Sequence, residues 1–167
     1  MEVRHFWREL EDAKISNYAS RVSNRCPHLT LGSYNHLTDR ADFIQRLHDF
    51  CQGQSAIVLT LPLLSSFAQS GALLLTPQVN RELLNFHQDL HATLAQFDSD
   101  RVSFYQPQSW IPHVTLANYL TARDLMAAFG YCEKRLDPLR GRITGVSLLE
   151  IFEDKQVVKV CEFDLKA

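Results

Sequence analysis

PHLTLGSY, residues 27–34, and PHVTLANY, residues 112–119, are one phrase written twice. In each, a proline precedes His-x-Thr-Leu and a tyrosine closes the phrase at the same offset. Side chains alternate between the two faces of a strand. His28 and Thr30 therefore share one face, and Leu29 and Leu31 the other. His113 and Thr115 are set in the same way against Val114 and Leu116. An apolar face that anchors the strand to a core leaves histidine and threonine on the opposite side.

The resemblance continues beyond the phrases. Leu37-Thr38-Asp39-Arg40 follows the first, and Leu120-Thr121-Ala122-Arg123 follows the second. The order strand, helix, strand, turn, strand recurs, so an internal repeat begins near residue 27 and again near residue 112. The spacing is too long for a solenoid. The expected fold is α+β: one bilobal domain over residues 1–167, with two pseudo-two-fold-related lobes of mostly antiparallel sheet, helices outside and a central cleft.

Local signals supply the elements. Apolar residues at Phe6, Leu10, Ala13 and Tyr18 predict a helix from Phe6 to about Val22, and His28 to Tyr34 predicts a strand. Thr38-Asp39 opens a helix that Gln52-Gly53-Gln54 stops. Ala56 to Leu64 predicts a strand that Pro62 ends, bulges or confines to an edge. Gly71 to Leu75 predicts a short buried strand. Thr76-Pro77 predicts a helix start, with Val79, Leu83, Phe86, Leu90, Leu94 and Phe97 as its stripe. Arg101 to Tyr105 predicts a short strand, and residues 106–112 a loop. His113 to Tyr119 reads as a strand, followed by a helix capped by Thr121. Arg142 to Phe152 and Val157 to Leu165 predict strands around a turn at Glu153-Asp154-Lys155.

Hydrophobic residues make up 46% of the 167 and charged residues 22%, an ordinary globular balance. No apolar run reaches the roughly 18 residues of a membrane helix. The charged, amphipathic N-terminus does not read as a secretory signal, so a cytoplasmic location is expected and the four cysteines are expected as free thiols. A net charge of −2 argues against steering of a long polyanion. Local clusters (Arg21 with Arg25; Lys134, Arg135, Arg140 and Arg142) suffice for a single phosphate.

Two imidazoles and two hydroxyls facing one cleft suit phosphodiester cleavage. In-line displacement needs a base for the attacking oxygen and an acid for the leaving one, and histidine serves either role near neutral pH. Threonine hydroxyls can hold the non-bridging oxygens. This scheme calls for no metal and no cofactor.

The paired phrases on repeated halves resemble the two-histidine (2H) phosphoesterase superfamily, specifically its 2′-5′ RNA ligase-like branch. The resemblance runs from about Pro27 to the C-terminus. It implies a bilobal α+β fold and metal-independent hydrolysis or transesterification of 2′,3′-cyclic phosphates and 2′-5′ linkages. It makes His28 and His113 the acid/base pair and Thr30 and Thr115 the phosphate binders. The implied partner is an RNA end or a small nucleotide, with no membrane and no obligatory protein partner. The alternative is a module of the same fold that binds such ends without turnover. Members often open with a hydrophobic strand, and Met1 to Phe6 is too polar and short for one.

Aromatics near the phrases are candidates for stacking on a base. Tyr34, Trp110 and Tyr119 are the candidate substrate contacts, with core packing as the competing role at each; Phe67 and Tyr105 belong to the same group. His87 and His91 lie four apart in HQDLH, but Gln88 stands where a zinc-protease motif has glutamate. They are expected to flank the buried stripe rather than bind metal.

Overall fold

The computed structural model describes residues 2–100, 103–154 and 156–167. The protein is α+β, with four α-helices and antiparallel sheet pairings among the described residues. It divides into two compact units, each assembled from three separate segments. Met1–Leu29, Thr60–Gln78 and Pro112–Gly141 form the first; Thr30–Leu59, Val79–Ile111 and Arg142–Ala167 form the second. Neither unit is a single repeat, because each takes segments from both halves of the chain.

The first unit is built on α1 (Val3–Asp12), whose apolar residues recur at Val3, Phe6, Trp7 and Leu10. That spacing puts them on one face, and all four are buried. Burying a side chain the size of Phe6 or Leu10 contributes about 1.5–3 kcal/mol. The face packs with a three-stranded antiparallel sheet, β2 (Leu63–Ser65), β3 (Leu73–Thr76) and β4 (Val114–Ala117), and with Ala128 and Cys132 of α4 (Ala122–Glu133). Helix α1 ends ten residues earlier than the apolar spacing predicts. Lys14 takes a left-handed φ of 56°, and the N–H groups of Ile15 and Ser16 turn back onto the Leu10 carbonyl. No glycine marks that turn. Residues 3–6, too polar and short to read as a strand, lie in this helix.

Pro62 divides the expected strand over residues 56–64 into β1 (Ile57–Leu61) and β2, because it has no N–H to continue a ladder. The β2–β3 hairpin pairs Leu63 with Thr76 and Ser65 with Leu74. Thr76 thus belongs to a strand, and its hydroxyl bonds that of Ser65 at 2.6 Å. Its capping capacity is spent there, so α3 (Arg81–Thr93) starts later, at Asn80, whose side chain accepts from Leu83 N at 2.8 Å. Thr121 caps α4 as expected, accepting from Asp124 N and donating to its carboxylate at 2.7 Å.

In the second unit α2 (Arg40–Gly53) is capped by Asp39, and α2 packs with α3 and with β7. Phe43 meets Phe97 and Phe50 meets Phe86, with ring centroids 5.1 and 5.2 Å apart. Strand β5 (Leu139–Ile143) begins before the strand expected from Arg142 to Phe152 and takes its first two residues. Strands β6 (Gly145–Ile151) and β7 (Val157–Asp164) form the expected antiparallel hairpin, with a register shift between Leu148 and Leu149. Within the predicted strand at 101–105, Ser103–Tyr105 is a 3-10 turn, while Arg101 and Val102 lie outside the described residues, as does Lys155 of the predicted turn. No helix among the described residues is long and apolar enough to cross a membrane.

Candidate active site

The second phrase sits in β4 as its alternation demands. Val114 and Leu116 are 5% and 1% exposed, whereas His113 and Thr115 are only partly covered. Strand β3 pairs with it through Leu74↔Thr115 and Leu75↔Val114. From the other direction, the Trp7 indole N–H donates to the Thr115 carbonyl at 3.1 Å. The Phe67 ring, from the β2–β3 loop, stands perpendicular to the His113 imidazole with centroids 5.0 Å apart.

The first phrase is supported differently. Residues 28–33 belong to no strand among the described residues, against the strand expected from His28 to Tyr34. His28 is exposed, and its Nδ1 lies 2.8 Å from the Cys26 carbonyl. A carbonyl only accepts, so Nδ1 carries the proton and the neutral ring keeps its lone pair on Nε2. Leu29 packs against the core of the first unit. The chain then enters the second unit. There the Thr30 carbonyl accepts the Trp110 indole N–H at 2.9 Å. The Leu31 carbonyl meets the Nε2 atoms of both His87 and His91, each at 2.9 Å.

Of the four proposed catalytic residues, His28, His113 and Thr115 thus belong to the first unit and Thr30 to the second. The three candidate base contacts differ in their surroundings. Tyr34 packs edge-on against Phe43, centroids 5.0 Å apart. Trp110 lies flat on His87, at 3.8 Å and 2° between planes, so one face and the N–H are already engaged. Tyr119 is 73% exposed, and the Arg21 guanidinium stands 5.6 Å from its ring centre.

The four cysteines are free thiols. Burial pushes the Cys51 and Cys132 thiols up to about 11, with smaller contributions from Cys161 and Glu9 respectively. Among the described residues, no group of three or more His, Cys, Asp or Glu side chains is placed to hold a metal ion.

The sequence pattern of the 2′-5′ RNA ligase superfamily matches residues 3–155. The chain belongs to that superfamily. No curated protein sequence matches it. Membership supports a phosphoesterase- or ligase-like function. The fold is shared with a solved structure described as a phosphoesterase, at a TM-score of 0.61 and 16% identity over 99% of this chain and 92% of that one. It is shared equally with LigT of E. coli. The apo form gives a TM-score of 0.59 and 15% identity over 98% and 92% of the two chains. The complex with 3′-AMP gives 0.61 and 17% over 99% and 92%.

In this member of the superfamily, the residues beside the two phrases include several that the motif alone does not reveal. Trp7 and Phe67 reach Thr115 and His113 from distant parts of the chain, and nothing local announces it. His87 and His91 carried a signal. On α3 they fall beside Leu83, Phe86 and Leu90, and they are 1% and 4% exposed. A polar group on a core-facing stripe must find a partner, and that partner is the backbone of the first phrase.

Proposed function

We propose that the protein is a phosphodiesterase that opens 2′,3′-cyclic phosphates or cleaves 2′-5′ linkages at RNA ends or in small nucleotides. The observation that carries this reading is the doubled His-x-Thr phrase in a 2′-5′ RNA ligase superfamily member, with His28 Nδ1 held by a backbone carbonyl. The Nδ1 bond persists in both charge states of the ring, so only Nε2 exchanges a proton. A working nitrogen of that kind suits an acid or a base.

For hydrolysis, His113 takes a proton from water as its oxygen bonds to phosphorus. The bond from phosphorus to one ribose oxygen breaks, and His28, entering the step as the imidazolium, gives that oxygen its Nε2 proton and is left neutral with Nδ1 still bonded to the Cys26 carbonyl. The product is a ribose phosphomonoester with a free neighbouring hydroxyl, and in the ligation direction the roles reverse. Thr30 and Thr115 donate to the non-bridging oxygens, where charge accumulates. The histidines and hydroxyls supply acid, base and charge stabilisation, so this route draws on no metal. A nucleotide in the LigT complex fits the same substrate class.

The test is turnover of a 2′,3′-cyclic nucleotide with chelator present. Wild type should release phosphomonoester, and His28→Ala and His113→Ala should each lose about 10²–10⁴-fold in rate. Full activity in either variant, or loss of wild-type activity on adding chelator, overturns the mechanism. Tight nucleotide binding with no product would instead identify a binding module.

A further inference from the structure

We propose that His87, His91 and Trp110 are positioning residues that set the phosphate-binding Thr30 by bracing the backbone on its C-terminal side. This rests on the phosphodiesterase reading and adds to it a support confined to one of the two phrases. All the contacts lie within the second unit.

A segment outside any strand has backbone carbonyls that must be satisfied another way. Here the Thr30 carbonyl takes the Trp110 N–H and the Leu31 carbonyl faces both imidazole Nε2 atoms. An oxygen has two lone pairs and accepts only, so each Nε2 that bonds it acts as the donor. The two Nε2 atoms are 3.1 Å apart, so the rings converge on one oxygen. Trp110 then covers the His87 ring face at 3.8 Å, tying the two consecutive carbonyls into one assembly.

Burial gives the brace its stiffness. The histidines are nearly inaccessible, and α3 fixes their one-turn spacing. Buried hydrogen bonds cannot be exchanged for water without loss. The peptide between Thr30 and Leu31, and with it the Thr30 Cα, is held by groups from α3 and the loop before β4. A hydroxyl donor acts on developing charge only when correctly placed, and a displacement of about 1 Å can cost on the order of 100-fold in rate.

The experiment is a double-mutant cycle. His91→Leu removes a donor while keeping bulk, His91→Gln restores an N–H at similar reach, and both are made with Thr30 and with Thr30→Ala. Turnover of a 2′,3′-cyclic nucleotide should fall about 10- to 100-fold in kcat for His91→Leu, with KM changed less. His91→Gln should recover most of that loss. In the Thr30→Ala background His91→Leu should have little further effect, because the brace acts through a hydroxyl no longer present. Additive losses, or a loss tracking a fall in Tm that His91→Gln does not rescue, overturn the proposal.

Two readouts separate its failure from failure of the phosphodiesterase reading. If wild type shows no turnover, the same cycle is read in the Kd of a nucleoside 3′-monophosphate. Independently, ¹H–¹⁵N spectra of wild type should show slowly exchanging Nε2–H signals from His87 and His91 and a protected Trp110 indole N–H. Their absence overturns the brace whatever the activity.

Discussion

The two copies of the phrase differ by one residue in their first five, yet the protein supports them by unlike means. PHVTL is a strand: β3 pairs with it, Trp7 bonds its Thr115 carbonyl, and its apolar residues are buried. PHLTL has no ladder among the described residues, and its Thr30 and Leu31 carbonyls are taken by the side chains of His87, His91 and Trp110. The alternation of faces is common to both, and the hydrogen-bonding partner is not. A period-two pattern states which side chains share a face, while a ladder depends on whether another strand is available to pair. Side-chain donors replace the neighbour strand at the first copy.

The largest expected effect tests whether unlike supports deliver equivalent chemistry. If both hydroxyls hold the phosphate, Thr30→Val and Thr115→Val should each lower kcat by about 10²-fold, on the order of 2.7 kcal/mol of transition-state stabilisation. Steady-state kinetics on a 2′,3′-cyclic nucleotide measure both. Loss in one copy with none in the other would break the equivalence and assign phosphate binding to one phrase.

Next is the end of the second copy. Gly71 has φ +63°, and a Cβ there would lie 2.4 Å from the Leu120 carbonyl oxygen, while Leu120 N donates to the Gly71 carbonyl. Gly71→Ala combines left-handed strain with a backbone clash and should cost at least about 2 kcal/mol. A denaturant midpoint that does not move would show that this turn does not fix the second phrase.

The two units can be compared through one buried thiol each, Cys132 in the first and Cys51 in the second. Below the ordinary thiol value of 9.0 both are neutral whether folded or unfolded. Between there and about 11 the unfolded chain releases protons that the folded chain keeps, so stability falls as pH rises. The loss should be on the order of 2 kcal/mol per thiol. Urea midpoints at about pH 8 and about pH 10.5, for wild type, Cys51→Ala and Cys132→Ala, measure each share. An alkaline decline as steep in a variant as in wild type would exclude that thiol.

How much of this was legible in the sequence follows the range of the interactions. The α+β class, the helix start at Thr38-Asp39 (with the cap one residue later than expected, at Asp39), the cap at Thr121, the break at Pro62 and the inward Val114 and Leu116 all rest on neighbours in the chain. The superfamily followed from the same two phrases, because their residues lie close together in sequence. The misreadings rest on distant partners or on conformations that residue type does not announce. Thr76 looked like a cap until Ser65 and β2 claimed it. Lys14 ends α1 with a positive φ that a lysine does not advertise. Leu31 finds its donors 56 and 60 residues away, a separation no local pattern encodes.

The smallest effect isolates the single hydrogen bond that α1 gives to the second copy. Trp7→Phe keeps most of the ring surface in the core and removes the donor to the Thr115 carbonyl. The expected cost is about 1 kcal/mol from the hydrogen bond, with a further contribution from lost ring area. Because β3 still pairs with β4 at Leu74↔Thr115 and Leu75↔Val114, strand geometry should survive and kcat should change by less than about threefold. Chemical denaturation and steady-state kinetics on the same preparation separate the two quantities. A large fall in kcat at nearly unchanged stability would mean that the ladder alone does not hold Thr115, and that the second copy also relies on a side-chain donor.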